Sequence, residues 1–513
     1  MQFLATSVVN YAQGIMLSSV FGILTLLTIF FAIFYLVKFG GNDKAETNIL
    51  IGKKVFTIKK LLFIVILVGI LARIICGLLV IGHRREFVET IYYSLQSISK
   101  YDSSDTNKIL YPLTYYVMQL FAGIWISSGV STDAVLLNFS IKIPFILADV
   151  AVAFILFSIA KKYFNQKVGL IISAFVMLCP LFIFTSSIWG STVTLVCPLI
   201  LLGFNLVLNK NHVGAIAIFF ISTLIAKEAV ILLPVITVYF LYVWIKSISA
   251  RFSGKNTSED RRNSWLIPLT TVFCVTFGYL ICLAYTSQFN VFSFFEVINE
   301  FYIKPFTKVF YFGENVANIY VLFGKNETVP SMKIPSNFNA VLMLVMFILL
   351  LICLTLAIFF RKKNRSLTIL IGAYVFLTVN VYYAGLTAMT ILPSLVLLLF
   401  AYLVIKDKRI LKTFAVSCIS LLIVACSVFT IAGYFNVEPL LFFKDESYTG
   451  QTYLTGDFSI PLIIASVFQV LNHLYMTYYL FEISYAKRIQ LLNYKENCTV
   501  SDVFYMMLTK DKE

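Results

Sequence analysis

The chain has 513 residues, 60% of them hydrophobic and only 13% charged, against about 25% charged in an average soluble protein. Forty Lys and Arg against 25 Asp and Glu give a net charge of +15. These numbers exclude a soluble enzyme, and they exclude a nucleic-acid binder too. The basic excess sits in short connections between apolar stretches, where it reports membrane orientation rather than a partner.

A helix needs about 20 residues to cross the hydrocarbon. Apolar stretches of that order run over 15–37, 60–82, 135–160, 168–187, 192–208, 213–229, 230–249, 264–286, 338–360, 367–383, 387–405, 411–433 and 459–484. The first is too long for a signal h-region and has no basic segment before it, so no cleavable leader is expected. Another apolar segment, 113–129, is short. The basic connections are 38–60, 161–167, 209–212, 246–262, 361–365, 406–412 and the tail from Lys487. All of them fall on one side only if 113–129 does not cross. The pattern therefore predicts an all-α, polytopic membrane protein with about thirteen spans and non-spanning helices on the external side, the 113–129 segment packed against protein. The N-terminus is expected outside and the C-terminus in the cytoplasm.

This arrangement divides the chain into an extra N-terminal helix with its cytoplasmic loop (1–58), a main membrane module (59–410), a C-terminal group of spans (411–484) and a cytoplasmic tail (485–513). The long loops 83–134, 287–337 and 434–458 all lie on the external face, which is thus the expected working face. The first of them opens with His83-Arg84-Arg85-Glu86 and continues through Asp102 and Asp105 to Tyr111-Pro112.

Several ionisable residues fall inside apolar stretches, where they are costly and need a partner or a role. Arg73 lies ten residues before His83. Lys142 and Asp149 are seven apart, two turns, so they share a helix face and flank Pro144. Lys227 and Glu228 stand at the end of an apolar stretch with Pro234 soon after. Each is read either as an intramembrane salt bridge or interfacial snorkelling, or as part of a site. Eight of the nine cysteines lie in apolar stretches and read as small core residues, and three His in all argue against a His-built metal centre.

The order of these features resembles the glycosyltransferase-C (GT-C) superfamily, in particular bacterial mannosyltransferase-like members that use polyprenyl-phosphate sugars. The residues carrying the resemblance are Gly82–Phe87 at the start of the first external loop, Tyr111-Pro112 at its end, Lys142, Pro144 and Asp149 on one helix, Ser187-Ile188-Trp189-Gly190, Lys227 with Pro234, and Asn315, Asn318, Tyr320 and Gly324. It covers roughly residues 60–410. The chain departs from the family where Trp189-Gly190 is followed by Ser191-Thr192-Val193 without an acid, and where Leu386–Thr390 replaces a charged element before Pro393.

The resemblance implies sugar transfer from a polyprenyl-phosphate carrier to a glycan or glycolipid acceptor of the cell envelope, at the external face of the plasma membrane. Such chemistry needs a carboxylate to take the acceptor proton and cations to hold the leaving phosphate. Glu86 is the candidate base, with Asp102 and Asp105 as runners-up; Arg84, Arg85 and Lys227 are candidate phosphate holders. His83, Trp189, Tyr111 and Asn318 are candidate substrate contacts. Against each stands a structural reading: a salt bridge for Glu86 with its two arginines, a solvated turn for Asp102 and Asp105, a headgroup contact for His83 and an interface anchor for Trp189. No metal ligand set is expected, although a divalent ion polarising the acceptor fits the chemistry. The departures motivate an alternative, a non-catalytic GT-C-like subunit that binds a lipid carrier or a partner enzyme; a lipid-linked glycan transporter is a third reading. Membrane lipids are expected partners in every case.

Overall fold

The computed structural model describes residues 2–39, 48–51, 54–80, 91, 110–128, 135–254, 257–286, 293–303, 316–323, 365–383, 386–434 and 460–485. Helices occupy twelve of the thirteen expected positions, and the thirteenth, 338–360, lies outside the described residues. The chain is an all-α, multi-pass membrane protein. Among the described residues a short antiparallel hairpin, Asn48–Ile51 with Lys54–Thr57, leads into the Ile58–Leu79 helix.

Among the described residues, eight helices are long and apolar enough to span a membrane, and the bent pair Gln166–Leu178 and Pro180–Trp189 makes a ninth if it crosses as one. The bend of 50° follows from Pro180. A residue before proline is pushed out of the helical region, and Cys179 accordingly adopts an extended backbone, φ −67° and ψ 124°. Three further expected spans are shorter helices: Val193–Leu208, His212–Thr223 and Ser366–Tyr382. They can be short because neighbouring helices enclose them. Ser366–Tyr382 is buried along almost its whole length, and 94% of the adjoining Ala388–Ile405 segment is buried.

The Gln2–Phe39 helix packs along Lys408–Tyr434, so the first and a late span form one pair. Lys408–Tyr434 in turn packs on Ile460–Tyr485, which also faces Ser366–Tyr382. Lipid offers no hydrophobic drive between helices, so polar contacts and close packing hold them together. Asn472 donates to the Ser417 hydroxyl at 2.8 Å and to the Thr413 carbonyl at 3.0 Å; Thr378 and His473 share a hydrogen bond of 2.9 Å.

The basic connections gather at one end. Lys210 and Arg365 both reach Glu259, at 3.4 and 3.9 Å, and Arg409 bridges Asp407 and Glu482, both at 2.7 Å. This tertiary clustering agrees with the single-sided charge pattern. Lys142 is nineteen residues from Lys161, and Lys227 is nineteen from Lys246. At about 1.5 Å per residue each interval is roughly 30 Å, one hydrocarbon thickness. Lys142 and Lys227 therefore lie near the opposite interface from the basic end.

Candidate functional site

That opposite end is where helices break. The bent pair finishes in a π-turn, Phe184–Trp189, closed by Gly190 at φ +76°, a left-handed conformation suited to glycine. His212–Thr223 stops before a 3₁₀ turn, Lys227–Leu232, which leads through Pro234 into Leu233–Phe252. A second 3₁₀ turn, Ala388–Ile391, precedes Pro393 in the same way. A second π-turn covers Asn299–Ile303. Such interruptions inside a membrane protein are tolerated only where protein encloses them or a cavity adjoins them, and they often mark functional sites.

Two groups of charge lie at or below this end, and they differ. The first joins Ile58–Leu79, Val135–Tyr163 and the bent pair. Arg73 Nε donates to Asp149 Oδ2 at 2.8 Å, and its terminal nitrogens donate to the carbonyls of Gly69, Met177 and Val176 at 3.1, 2.6 and 2.9 Å. Both side chains are almost fully buried. The partner of Asp149 is thus Arg73, 76 positions away in sequence, rather than Lys142 on its own helix face. Lys142, also fully buried, donates to the Val80 and Ser187 carbonyls at 2.5 and 2.6 Å. It pins the end of one helix to the π-turn of another. Gly69 allows this close approach: a Cβ there would stand 2.8 Å from the Met177 carbonyl oxygen. This cluster is closed, each charge answered by protein.

The second group is the Lys227–Glu228 step. Glu228 is only 4% exposed, and its carboxylate forms no ion pair or hydrogen bond with another side chain among the described residues. Lys227 is half-buried, its charge acts on the Glu228 carboxylate, and that carboxylate also accepts a hydrogen bond from its own backbone. Around them the Pro112–Ser127 helix docks at the break, with Leu113 N–H donating to the Leu224 carbonyl at 3.1 Å and the Thr114 hydroxyl to that of Ile225 at 2.6 Å. The Tyr111 hydroxyl donates to the Phe301 carbonyl on the neighbouring π-turn. Burial first, then the Glu228 carboxylate, hold the Tyr111 phenol well above its ordinary range, so it remains a donor.

The residues read from the sequence fall out as follows. His83, Arg84, Arg85, Glu86, Asp102 and Asp105 lie outside the described residues, as do Asn315 and Gly324. Tyr111 is buried against Phe301, and Trp189 is 2% exposed with its ring edge-on to Phe184 at 5.5 Å. Asn318 caps the Ile319–Leu322 helix, its side chain accepting from the Tyr320 and Val321 amides at 3.1 and 3.2 Å. Tyr111 and Lys227 belong to the same assembly of turns through Pro112–Ser127 and Glu228. Thr387 and Thr390, from the stretch that departs from the GT-C pattern, bury hydroxyl oxygens with no hydrogen-bond partner among the described residues. No group of three or more His, Cys, Asp and Glu there is placed to hold a metal ion. Sequence reasoning noted Glu228 beside Lys227 ahead of Pro234 but gave it no role in the site.

The segment that carries most of these turns also carries the decisive comparison. Residues 79–312 match the family model of the GPI transamidase subunit PIG-U. The match covers a little under half of the chain, from the end of Ile58–Leu79 through both π-turns and the Lys227 break. No curated protein matches the chain. The PIG-U match corrects the expectation of a polyprenyl-phosphate glycosyltransferase in a cell-envelope setting: the matching model describes a subunit of a transamidase, not a bacterial sugar transferase. What misled the sequence reading is physical. An order of loops, prolines and buried charges is a property of the helical scaffold, and a scaffold does not fix a reaction.

Proposed function

We propose that the chain is a non-catalytic membrane subunit, similar to PIG-U, that works within an enzyme complex acting on lipid-linked substrates. The match over residues 79–312 carries this reading. Two features of the fold support it. The charges best placed to act as buried machinery, Arg73, Asp149 and Lys142, are engaged in holding helices together. The end that carries Lys227 and Glu228 also buries the Thr387 and Thr390 hydroxyls without a hydrogen-bond partner among the described residues, which suits a surface that receives a lipid-linked substrate and presents it to a partner. The basic end then faces the cytoplasm and the broken-helix end faces the opposite compartment, in keeping with the positive-inside rule.

The reading is tested by tagging the full chain, solubilising the membrane mildly and analysing what elutes with it. A stoichiometric complex containing a transamidase catalytic subunit is the expected result, with amide transfer lost when the chain is depleted and restored when it is returned. Elution of the chain alone, with transamidation intact after its depletion, overturns the proposal. His83 to Glu86, Asp102 and Asp105 belong to the same test: neutralising them should alter complex yield or substrate binding rather than remove a catalytic step.

A further inference from the structure

The basic end of the bundle holds three groups of cations, and two of them are answered by acids. Glu259 receives Lys210 and Arg365, and Arg409 bridges Asp407 and Glu482. The third group is different. Its Lys38 and Lys406 are exposed and form no ion pair among the described residues.

Three segments far apart in the chain meet there. The Asn165 side-chain amide donates to the Phe39 carbonyl at 3.2 Å, and the Tyr402 hydroxyl donates to the Leu36 carbonyl at 3.3 Å. The Phe164 and Tyr402 rings lie 5.8 Å apart. Each segment delivers one ammonium to the shared surface. Lys38 Nζ and Lys167 Nζ stand 5.9 and 5.5 Å from the centroid of one ring, Phe39, and Lys406 Nζ stands 4.7 Å from that of Phe164. The ring faces hold these ammoniums in place without neutralising them.

The backbone of Lys406 points the same way. It closes the Leu392–Ile405 helix in the left-handed conformation, φ +61°, with its N–H donating to the Tyr402 carbonyl at 2.8 Å. Glycine is the usual residue there, because a Cβ strains this conformation. A lysine favours a helix C-terminus through the dipole, but any position in the last turn serves that purpose without strain. Lys210 is the other non-glycine residue in this conformation among the described ones, and its ammonium reaches Glu259. Lys406 has no such acid.

The neighbouring helix supplies the apolar side. Phe30, Phe34 and Lys38 follow at four-residue spacing on Gln2–Phe39, as do Phe31, Tyr35 and Phe39, and Phe30, Phe31, Phe34 and Tyr35 are all exposed. Acyl chains lying on this aromatic face would end at the ammoniums. A phosphodiester brings one negative charge to them, whereas a phosphomonoester brings about −1.5 to −2 at neutral pH and three acceptor oxygens. The second suits ammoniums converging from three segments.

We propose that Lys38, Lys167 and Lys406 form a binding site for a membrane lipid whose headgroup ends in a phosphomonoester, its chains lying along the exposed aromatic face of Gln2–Phe39. Basic pockets between transmembrane helices are a recurring means of recognising lipid headgroups. The site lies at the opposite end from Lys227 and Glu228, and it stands independently of the reading of the chain as a transamidase subunit.

The test titrates short-chain phosphatidic acid into the purified full chain in detergent, beside phosphatidylglycerol with the same chains. Glycerol 3-phosphate, which keeps the headgroup and lacks the chains, is the third probe. Phosphatidic acid should bind about tenfold more tightly than phosphatidylglycerol, and Lys38→Gln with Lys406→Gly should bring the two to within about twofold. Lys406→Gly alone should lower the preference about threefold, while the thermal midpoint of the lipid-free protein stays level or rises as the left-handed strain is relieved. A lower midpoint with an unchanged preference marks a structural lysine and overturns the proposal. Lys210→Ala, at the same end but paired with Glu259, should leave the preference unchanged; an equal loss there reveals a diffuse basic surface and overturns a defined site. No preference in the unaltered chain is also fatal, as is glycerol 3-phosphate binding as tightly as phosphatidic acid. If the double variant is not monodisperse, Lys38→Gln alone takes its place and should lower the preference about threefold; an unchanged preference again overturns the proposal.

Discussion

Two pairs of buried charge sit in the same half of this membrane protein and follow opposite rules. Arg73 and Asp149 meet at 2.8 Å, and carbonyls from two helices take up the remaining guanidinium hydrogens. Lys227 and Glu228 are adjacent in sequence, and their charges are met only locally: the Glu228 carboxylate lies in the field of Lys227 and accepts a hydrogen bond from its own backbone. The first arrangement fixes helices where lipid cannot, since it converts costly charges into directional bonds between the Ile58–Leu79, Val135–Tyr163 and Gln166–Leu178 helices. The second is offset within one turn of chain and ties no distant helices together. Burial of a charge is therefore not by itself a sign of function in a membrane protein.

The largest effect is expected at the closed pair. Asp149→Leu strands the Arg73 guanidinium in the bundle and should cost about 3–5 kcal/mol, seen as a loss of monodisperse protein in detergent. Arg73→Leu combined with Asp149→Leu should recover much of that loss. If the double variant is no better than the single one, the pair is not the self-contained structural unit described here. Gly69→Ala comes next: its Cβ must displace the Met177 backbone, which should cost about 1–3 kcal/mol and lower the thermal midpoint.

At the open pair the sign should reverse. Glu228→Gln removes a buried charge that ties no distant helices together, so the thermal midpoint should stay level or rise by the equivalent of up to about 1 kcal/mol. A large destabilisation there would erase the distinction between the two sites. Smallest of all, Lys210→Ala breaks an exposed contact with Glu259 at the basic end and should change stability by less than about 1 kcal/mol, with a dependence on salt.

The positions of most spans were readable because hydropathy acts over some twenty residues at a time; the bend at Pro180, inside the expected 168–187 span, was not read, and Pro144 lies within an unbroken helix. A helix at the 113–129 segment was also legible, and the Pro112–Ser127 helix has its start hydrogen-bonded to Leu224 and Ile225. Lys142 and Asp149 were correctly seen as sharing a face, but a face does not reveal who looks at it. Asp149 pairs with a residue 76 positions earlier, and no local pattern encodes that distance. Trp189 illustrates the same limit: interface anchor and ring-stacking platform were both open readings, and the fold buries it against Phe184.

By itself the sequence determined the membrane setting, the all-α architecture and the side on which basic connections gather, because each of these depends on composition and on how charge is spaced along the chain. Only the tertiary structure decided which charges are satisfied. That depends on carbonyls and side chains brought together from helices far apart in the chain, and it separates Arg73, Asp149 and Lys142, which hold the bundle together, from Lys227 and Glu228, whose charges are met within one turn.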